Sequence, residues 1–143
     1  MRSLIALLVL LIAGAALAQA PSNYVLVGSM SQLMTDIIYP ASDGLFYIER
    51  TPPKIDRDWN VIKGYALTVA ESGNLLLMEG RIRDQGDWVK DTKLMIDAGQ
   101  AAYKAAQKHD MQAILDLSDQ LSNSCIACHL KYRPGYGRGR TPQ

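Results

Sequence analysis

The chemistry of this chain is concentrated in five consecutive residues, Cys125-Ile126-Ala127-Cys128-His129. The two cysteines are the only ones among 143 residues. A spacing of three on an α-helix is close to one turn, so both thiols share a face with the imidazole beside them. C-x-x-C-H is the pattern of covalent c-type haem attachment. Two thiols adding to the two vinyl groups of a haem must stand about one turn apart. The histidine then lies beneath the iron and binds it through an imidazole nitrogen. Three other chemistries use paired thiols. A redox dithiol sits at a helix start beside a βαβ pattern, whereas this pair lies deep in the last helix of a chain whose pattern is helical throughout. A zinc site needs two more good ligands, and His109 is the only other histidine. A disulfide closing so short a loop stabilises little. Haem attachment is the expectation.

The elements that must position this motif read as helices throughout. In the last segment Ile114, Leu117, Leu121, Cys125, Cys128 and Tyr132 recur at steps of three and four. That is one helix face. Asp110 is placed to cap its start, and Pro134-Gly135 stops it. A segment from about Asp87 to Lys108 carries Trp88, Met95, Ala98, Ala102 and Ala105 on one side. Its alanine pairs form helix readily and let a neighbour approach closely. Before it, Trp59, Ile62, Ala66, Val69, Gly73 and Leu76 define another face, with Asp56 or Asp58 as its cap. Arg81 to Gly86 reads as a polar break. The first segment, about Val25 to Ile48, places Met30, Met34, Ile37, Ala41, Leu45 and Ile48 on one face. Pro40 lies inside that pattern and should kink or split the helix. The expected fold is all-α, four helices of roughly 30 Å each. Short connections favour antiparallel neighbours.

The two ends differ from this body. Met1 to Ala20 holds 16 apolar residues in 20 positions, after a positive start at Arg2 and with a small-x-small close at Ala18-Gln19-Ala20. This is the pattern of a secretory signal peptide cut after Ala20. Export fits the motif, because such haem attachment happens outside the reducing cytosol. Cleavage leaves 123 residues with 14 basic and 14 acidic side chains, a neutral chain suited to one domain over residues 21–134. Neutrality argues against broad electrostatic binding of nucleic acid. No second apolar run has membrane length, so no integral membrane segment is expected after cleavage. Residues 135–143 form a Gly/Arg tail expected to be flexible.

The chain resembles the class II cytochromes c over essentially all of residues 24–134. The terminal Cys125-x-x-Cys128-His129-x-x-Tyr132-Arg133 is similar to that family's closing motif. The resemblance implies an antiparallel up-down four-helix bundle with covalent haem c near the C-terminus. It makes Cys125 and Cys128 the thioether anchors, His129 the proximal iron ligand, and Arg133 a neighbour of the proximal haem face. The family has a low-spin branch, in which a first-helix methionine fills the sixth position, and a five-coordinate branch with an apolar blocking residue. Leu33-Met34 stands where the low-spin branch carries its ligand. Met34 is therefore the expected distal ligand, with Met30 one turn earlier or no sixth protein ligand as the alternatives. Met78, Met95 and Met111 read as core filler. Trp59 and Trp88 are candidates for haem contact or for plain core.

Those residues imply a periplasmic electron carrier rather than an enzyme. His/Met ligation raises the reduction potential relative to harder ligands, and Asp36 points about 200° around the helix from Met34. A five-coordinate protein binding NO or CO is the alternative. The implied partners are redox proteins of a periplasmic electron-transfer chain. The basic tail is a candidate docking element. Many members of that family dimerise through their first two helices, so the resemblance admits a homodimer, which the helix faces of this chain do not decide.

Overall fold

The computed structural model describes residues 24–136. The signal-peptide reading of residues 1–20 and residues 137–143 of the basic tail lie outside the described residues. Every regular element among the described residues is helical. Four helical units follow one another, each seated on a neighbour along an apolar face.

The second helix, Asp56–Leu76, and the third, Asp87–Gln107, form the most extensive pairing. Their buried faces are those the periodicity predicts: Trp59, Ile62, Ala66, Val69, Gly73 and Leu76 on one, Trp88, Met95, Ala98, Ala102 and Ala105 on the other. Small residues set the separation. A Cβ placed on Gly99 would lie 2.6 Å from the backbone nitrogen of Ala70. The helices meet there almost backbone to backbone, and only glycine fits. Of the two acids proposed as caps, Asp58 performs the role from inside the first turn. Its carboxylate accepts the N–H groups of Lys54 at 3.0 Å and Ile55 at 3.3 Å. These are donors that precede the helix and would otherwise be unsatisfied.

The first unit settles half of the expected kink or split at Pro40. The helix is not split there. It runs as α-helix Met30–Gln32, then π-helix Leu33–Ile38, then α-helix Tyr39–Phe46. Ser29 caps its start, accepting the Gln32 N–H at 3.2 Å. The Tyr39 N–H reaches back to the Met34 carbonyl, five residues away. Pro40 can donate no hydrogen bond, and its ring crowds the carbonyl four residues earlier. A wide turn just before the proline accommodates both. The same turn corrects the buried face. Ile37, expected inward, is 41% exposed, whereas Ile38 is 6% exposed. Leu33 and Ile38 take the inward positions, a step of five that three- and four-residue counting does not anticipate.

The last unit is also interrupted. Helix Met111–Asp116 ends at Leu117 and helix Ser118–Tyr132 begins directly after it. The Leu117 N–H bonds to Ile114 at 3.2 Å, a tightened turn. Asp110 caps this unit as expected, accepting the Ala113 N–H at 2.9 Å. The last helix lies mainly on the third, and the first lies on the second. The core runs through all four, from Leu33 and Leu45 through Val69 and Met95 to Ile114, Leu121 and Cys128.

Candidate functional site

One cavity gathers most of the residues singled out by their chemistry. It spans about 360 Å³, part of it open to solvent, and its walls come from all four helical units. The first helix supplies Met34 and Ile38, the end of the second Leu76. The third supplies Asp91, Thr92 and Met95, and the last Ser124, Cys125, Cys128 and His129. Met34, Cys125, Cys128 and His129 lie more than 80 positions apart at the extremes, yet they face one space.

Local structure explains each position. Cys125, Cys128 and His129 sit within the last helix, so successive turns place them against the same opening. Ser124 stays in the helix by donating its hydroxyl to the Leu121 carbonyl at 2.7 Å. Its oxygen lies 4.0 Å from the Cys125 sulfur. Burial raises the Cys125 thiol above its ordinary value. Burial pushes Cys128 up to about 11, with further help from the negative charge of Asp91. Both thiols are therefore protonated near neutrality. A dithiol that works by redox exchange is held in the opposite condition, with a depressed thiol at a helix start. His129 is half-buried. Burial, then the Arg133 charge, lower its pKa, which leaves a neutral imidazole with a free lone pair.

The surroundings of His129 are built by two clamps. Tyr132 donates its hydroxyl to Asp84, and Lys131 pairs with Asp87, tying the end of the last helix to the turn before the third and to the third helix's first residue. Trp88 meets the Tyr132 ring edge-on at 5.0 Å between centroids and donates its indole N–H to the Leu76 carbonyl at 3.0 Å. The Tyr132 hydrogen bond is also the main reason the Asp84 carboxyl is held below its ordinary value. After the helix, Tyr136 folds against His129 with centroids 5.1 Å apart.

Other expected residues take different places. Arg133 is exposed and does not line the cavity. Its backbone N–H bonds to the His129 carbonyl at 3.0 Å, and its guanidinium lies 5.6 Å from the centroid of the Tyr136 ring. Met30 packs on the core without lining the cavity. Neither tryptophan lines it. Trp59 stacks on His109 at 4.9 Å, while Trp88 supports it from behind through Tyr132 and Leu76.

Sequence reasoning missed Asp91 and Thr92. Both are buried, and the Thr92 hydroxyl oxygen has no hydrogen-bond partner among the described residues. The signal was available: residues 91, 92 and 95 continue the inward face of the third helix. Polar residues on an apolar face carry information that counting apolar positions discards. No three His, Cys, Asp or Glu side chains converge as a metal-binding group among the described residues. The chain matches no family model, no curated protein and no solved structure.

Proposed function

We propose that this chain is an exported c-type haem protein that carries single electrons, in the manner of the class II cytochromes c. Cys125 and Cys128 hold the haem as thioethers, His129 is its proximal iron ligand, and Met34 fills the distal position. The observation that carries this reading is the convergence of those four side chains on one cavity across the whole length of the chain.

The donor set fits the group. Ile38, Leu76 and Met95 offer apolar wall for a flat macrocycle, and Thr92 presents a buried hydroxyl with an unmet hydrogen-bond capacity. Two protonated thiols a turn apart suit addition to vinyl groups better than thiolate coordination. Haem c, when bound, supplies a one-electron Fe(III)/Fe(II) couple. The chain's own contributions follow from its chemistry. His129 gives a lone pair from a neutral ring. Met34 gives a soft thioether, which favours the reduced metal and raises the potential. The apolar walls exclude water, and the Asp84–Tyr132 and Lys131–Asp87 clamps hold the helix that carries His129. Residues 21–134 then form an antiparallel up-down bundle in the periplasm, and the basic tail at 135–143 meets acidic redox partners.

The test is an intact-mass measurement with an optical spectrum of the exported protein. Expected are the mass of one haem added covalently, lost in Cys125→Ala/Cys128→Ala, and a low-spin spectrum with the Fe(III)–sulfur band. That band disappears in Met34→Ala and survives in Met30→Ala. A chain without added mass sinks the proposal. A high-spin ferric spectrum with fast, tight CO binding replaces the electron carrier with a gas-binding protein.

A further inference from the structure

The chain carries 14 Asp and Glu residues, all of them within the described region. Asp91 is the one that is buried, at 9% exposed. It lies on the inward face of the third helix, one turn after Trp88 and one turn before Met95. An apolar residue would pack there at no electrostatic cost, whereas a carboxylate withdrawn from water calls for an opposite charge. The described residues supply none. The ion pairs formed among them are Lys131 with Asp87 and His109 with Asp56. Arg81 is buried as well, but its guanidinium donates to the Gly28 carbonyl at 3.4 Å and does not line the cavity.

Asp91 does line the cavity, and among the described residues it is the only Asp, Glu, Lys or Arg that does. Its negative charge acts on the Cys128 thiol in the adjoining wall. The other groups on that wall are neutral, including the unpartnered hydroxyl of Thr92. The ligands of the haem reading add no charge either. His129 is a neutral imidazole and Met34 a thioether, and Cys125 and Cys128 are uncharged once they are thioethers. An electrostatic account must then include the metal's own charge. Propionates apart, an iron(III) porphyrin with neutral axial ligands carries one net positive charge, and an iron(II) porphyrin carries none. Cavity and group are therefore complementary in charge in the oxidised state alone.

We infer that Asp91 is the counter-charge of the oxidised haem core, the residue of the cavity wall that favours Fe(III) over Fe(II). This deepens the haem reading above and rests on it. It requires covalent haem and neutral axial ligation, so it holds whether or not Met34 fills the sixth position. His129 and Met34 raise the potential relative to harder ligands, and Asp91 draws it down. A carboxylate walled by protein acts strongly because little solvent lies between it and the metal. The exposed acids lack that leverage, because water and salt screen them.

The test uses the full exported chain with its haem, as wild type, Asp91→Asn, Asp91→Glu and Asp97→Asn. Asp97 is an exposed acid of the same helix and does not line the cavity. Intact mass, reduction potential and denaturant unfolding in each oxidation state are measured. Asp91→Asn should lower the Fe(III)/Fe(II) ratio at a fixed poise about tenfold, a rise of 59 mV for a one-electron couple. The same substitution should raise the folding constant of the reduced protein about tenfold relative to the oxidised, because the charge meets the metal only in the folded cavity. Asp91→Glu restores the charge and should recover most of the wild-type potential. Asp97→Asn removes one exposed charge and should shift the potential far less, the shift fading at high salt. An unmoved potential in haem-loaded Asp91→Asn overturns the counter-charge alone. So does an equal rise in Asp97→Asn or in Asp91→Glu. If Asp91→Asn does not accumulate, Asp91→Ser takes its place with the same expected rise and the same overturning result. A wild-type chain without covalent haem overturns the haem reading and the counter-charge together.

Discussion

The two ends of the second–third helix pair are built on opposite principles. Toward Gly99 and Ala70 the helices touch almost backbone to backbone, with Ala66, Ala102 and Ala106 filling the seam and nothing polar left unmet. Toward Leu76 and Asp91 they open. There the first helix widens into a π-turn, the last helix brings its thiols and imidazole, and Thr92 and Arg81 keep unsatisfied groups. The contrast teaches where stability and chemistry reside. Close packing of small residues holds the pair together at one end, and that frees the other end to retain space and unmet polar groups.

The sharpest way to break this contrast is at the closed end. Gly99→Val sets a branched side chain against the Ala70 backbone, which cannot move aside. It should lower stability by about 3 kcal/mol or prevent folding, the upper range for overpacking. Thermal unfolding measures it, and a loss below about 1 kcal/mol would mean the seam is looser than the geometry implies. At the open end Met95→Ala should cost about 2–3 kcal/mol, because a buried thioether leaves an enlarged hole. Half-buried Met34→Ala at the same cavity should cost about 1 kcal/mol or less, since part of its surface already meets water. If the two substitutions cost the same, Met34 is core and not a residue held ready at an opening.

The clamp that steadies His129 has a pH signature. The folded state lowers the Asp84 pKa, chiefly through the Tyr132 hydrogen bond, so the charged carboxylate is favoured by folding. Its contribution is complete above the ordinary value of 3.8 and is lost as pH falls through the lower folded value. Tyr132 is shifted upward, so its contribution is present below 10 and is lost as pH rises through the folded value. Asp84→Asn should therefore lower the melting temperature at neutral pH, and the gap from wild type should close below pH 3.8. A gap independent of pH would mean the clamp acts through shape alone.

The smallest effect is expected at His109, whose φ is +57°. Glycine removes about 1 kcal/mol of left-handed strain. The same change removes the stack on Trp59, worth a similar amount. His109→Gly should leave stability within about 1 kcal/mol of wild type by denaturant titration, and a larger loss would show that the stack outweighs the strain.

These contrasts also explain what was legible beforehand. The second and third helices follow a 3.6-residue period without interruption, so counting apolar residues found the main line of both faces, though not the buried Ser72, Asp91 and Thr92 on them. The motif at 125–129 announced its chemistry because thiols and an imidazole at that spacing have few uses. What escaped depends on backbone irregularity or on polar groups inside. The π-turn moved burial from Ile37 to Ile38, a change that no α-helical count contains. The interruption at Leu117 follows from a tightened backbone turn with no proline or glycine to mark it. Arg81 lies in a stretch whose composition is that of a surface loop, yet it is buried and donates to the Gly28 carbonyl, 53 positions earlier.

The π-turn of the first helix carries one residue more than an α-helix would use between its two inward positions. Leu33 and Ile38 are five apart, and deleting the exposed Ile37 would leave them four apart, the α-helical spacing. The buried line would survive in a helix one residue shorter. Leu33 and Met34, both on the N-terminal side of the deletion, would move together toward Ile38 by about 1.5 Å, one residue's rise. The first helix thus holds a length adjustment that sets the depth of Met34 along the axis while Leu33 and Ile38 stay on one face.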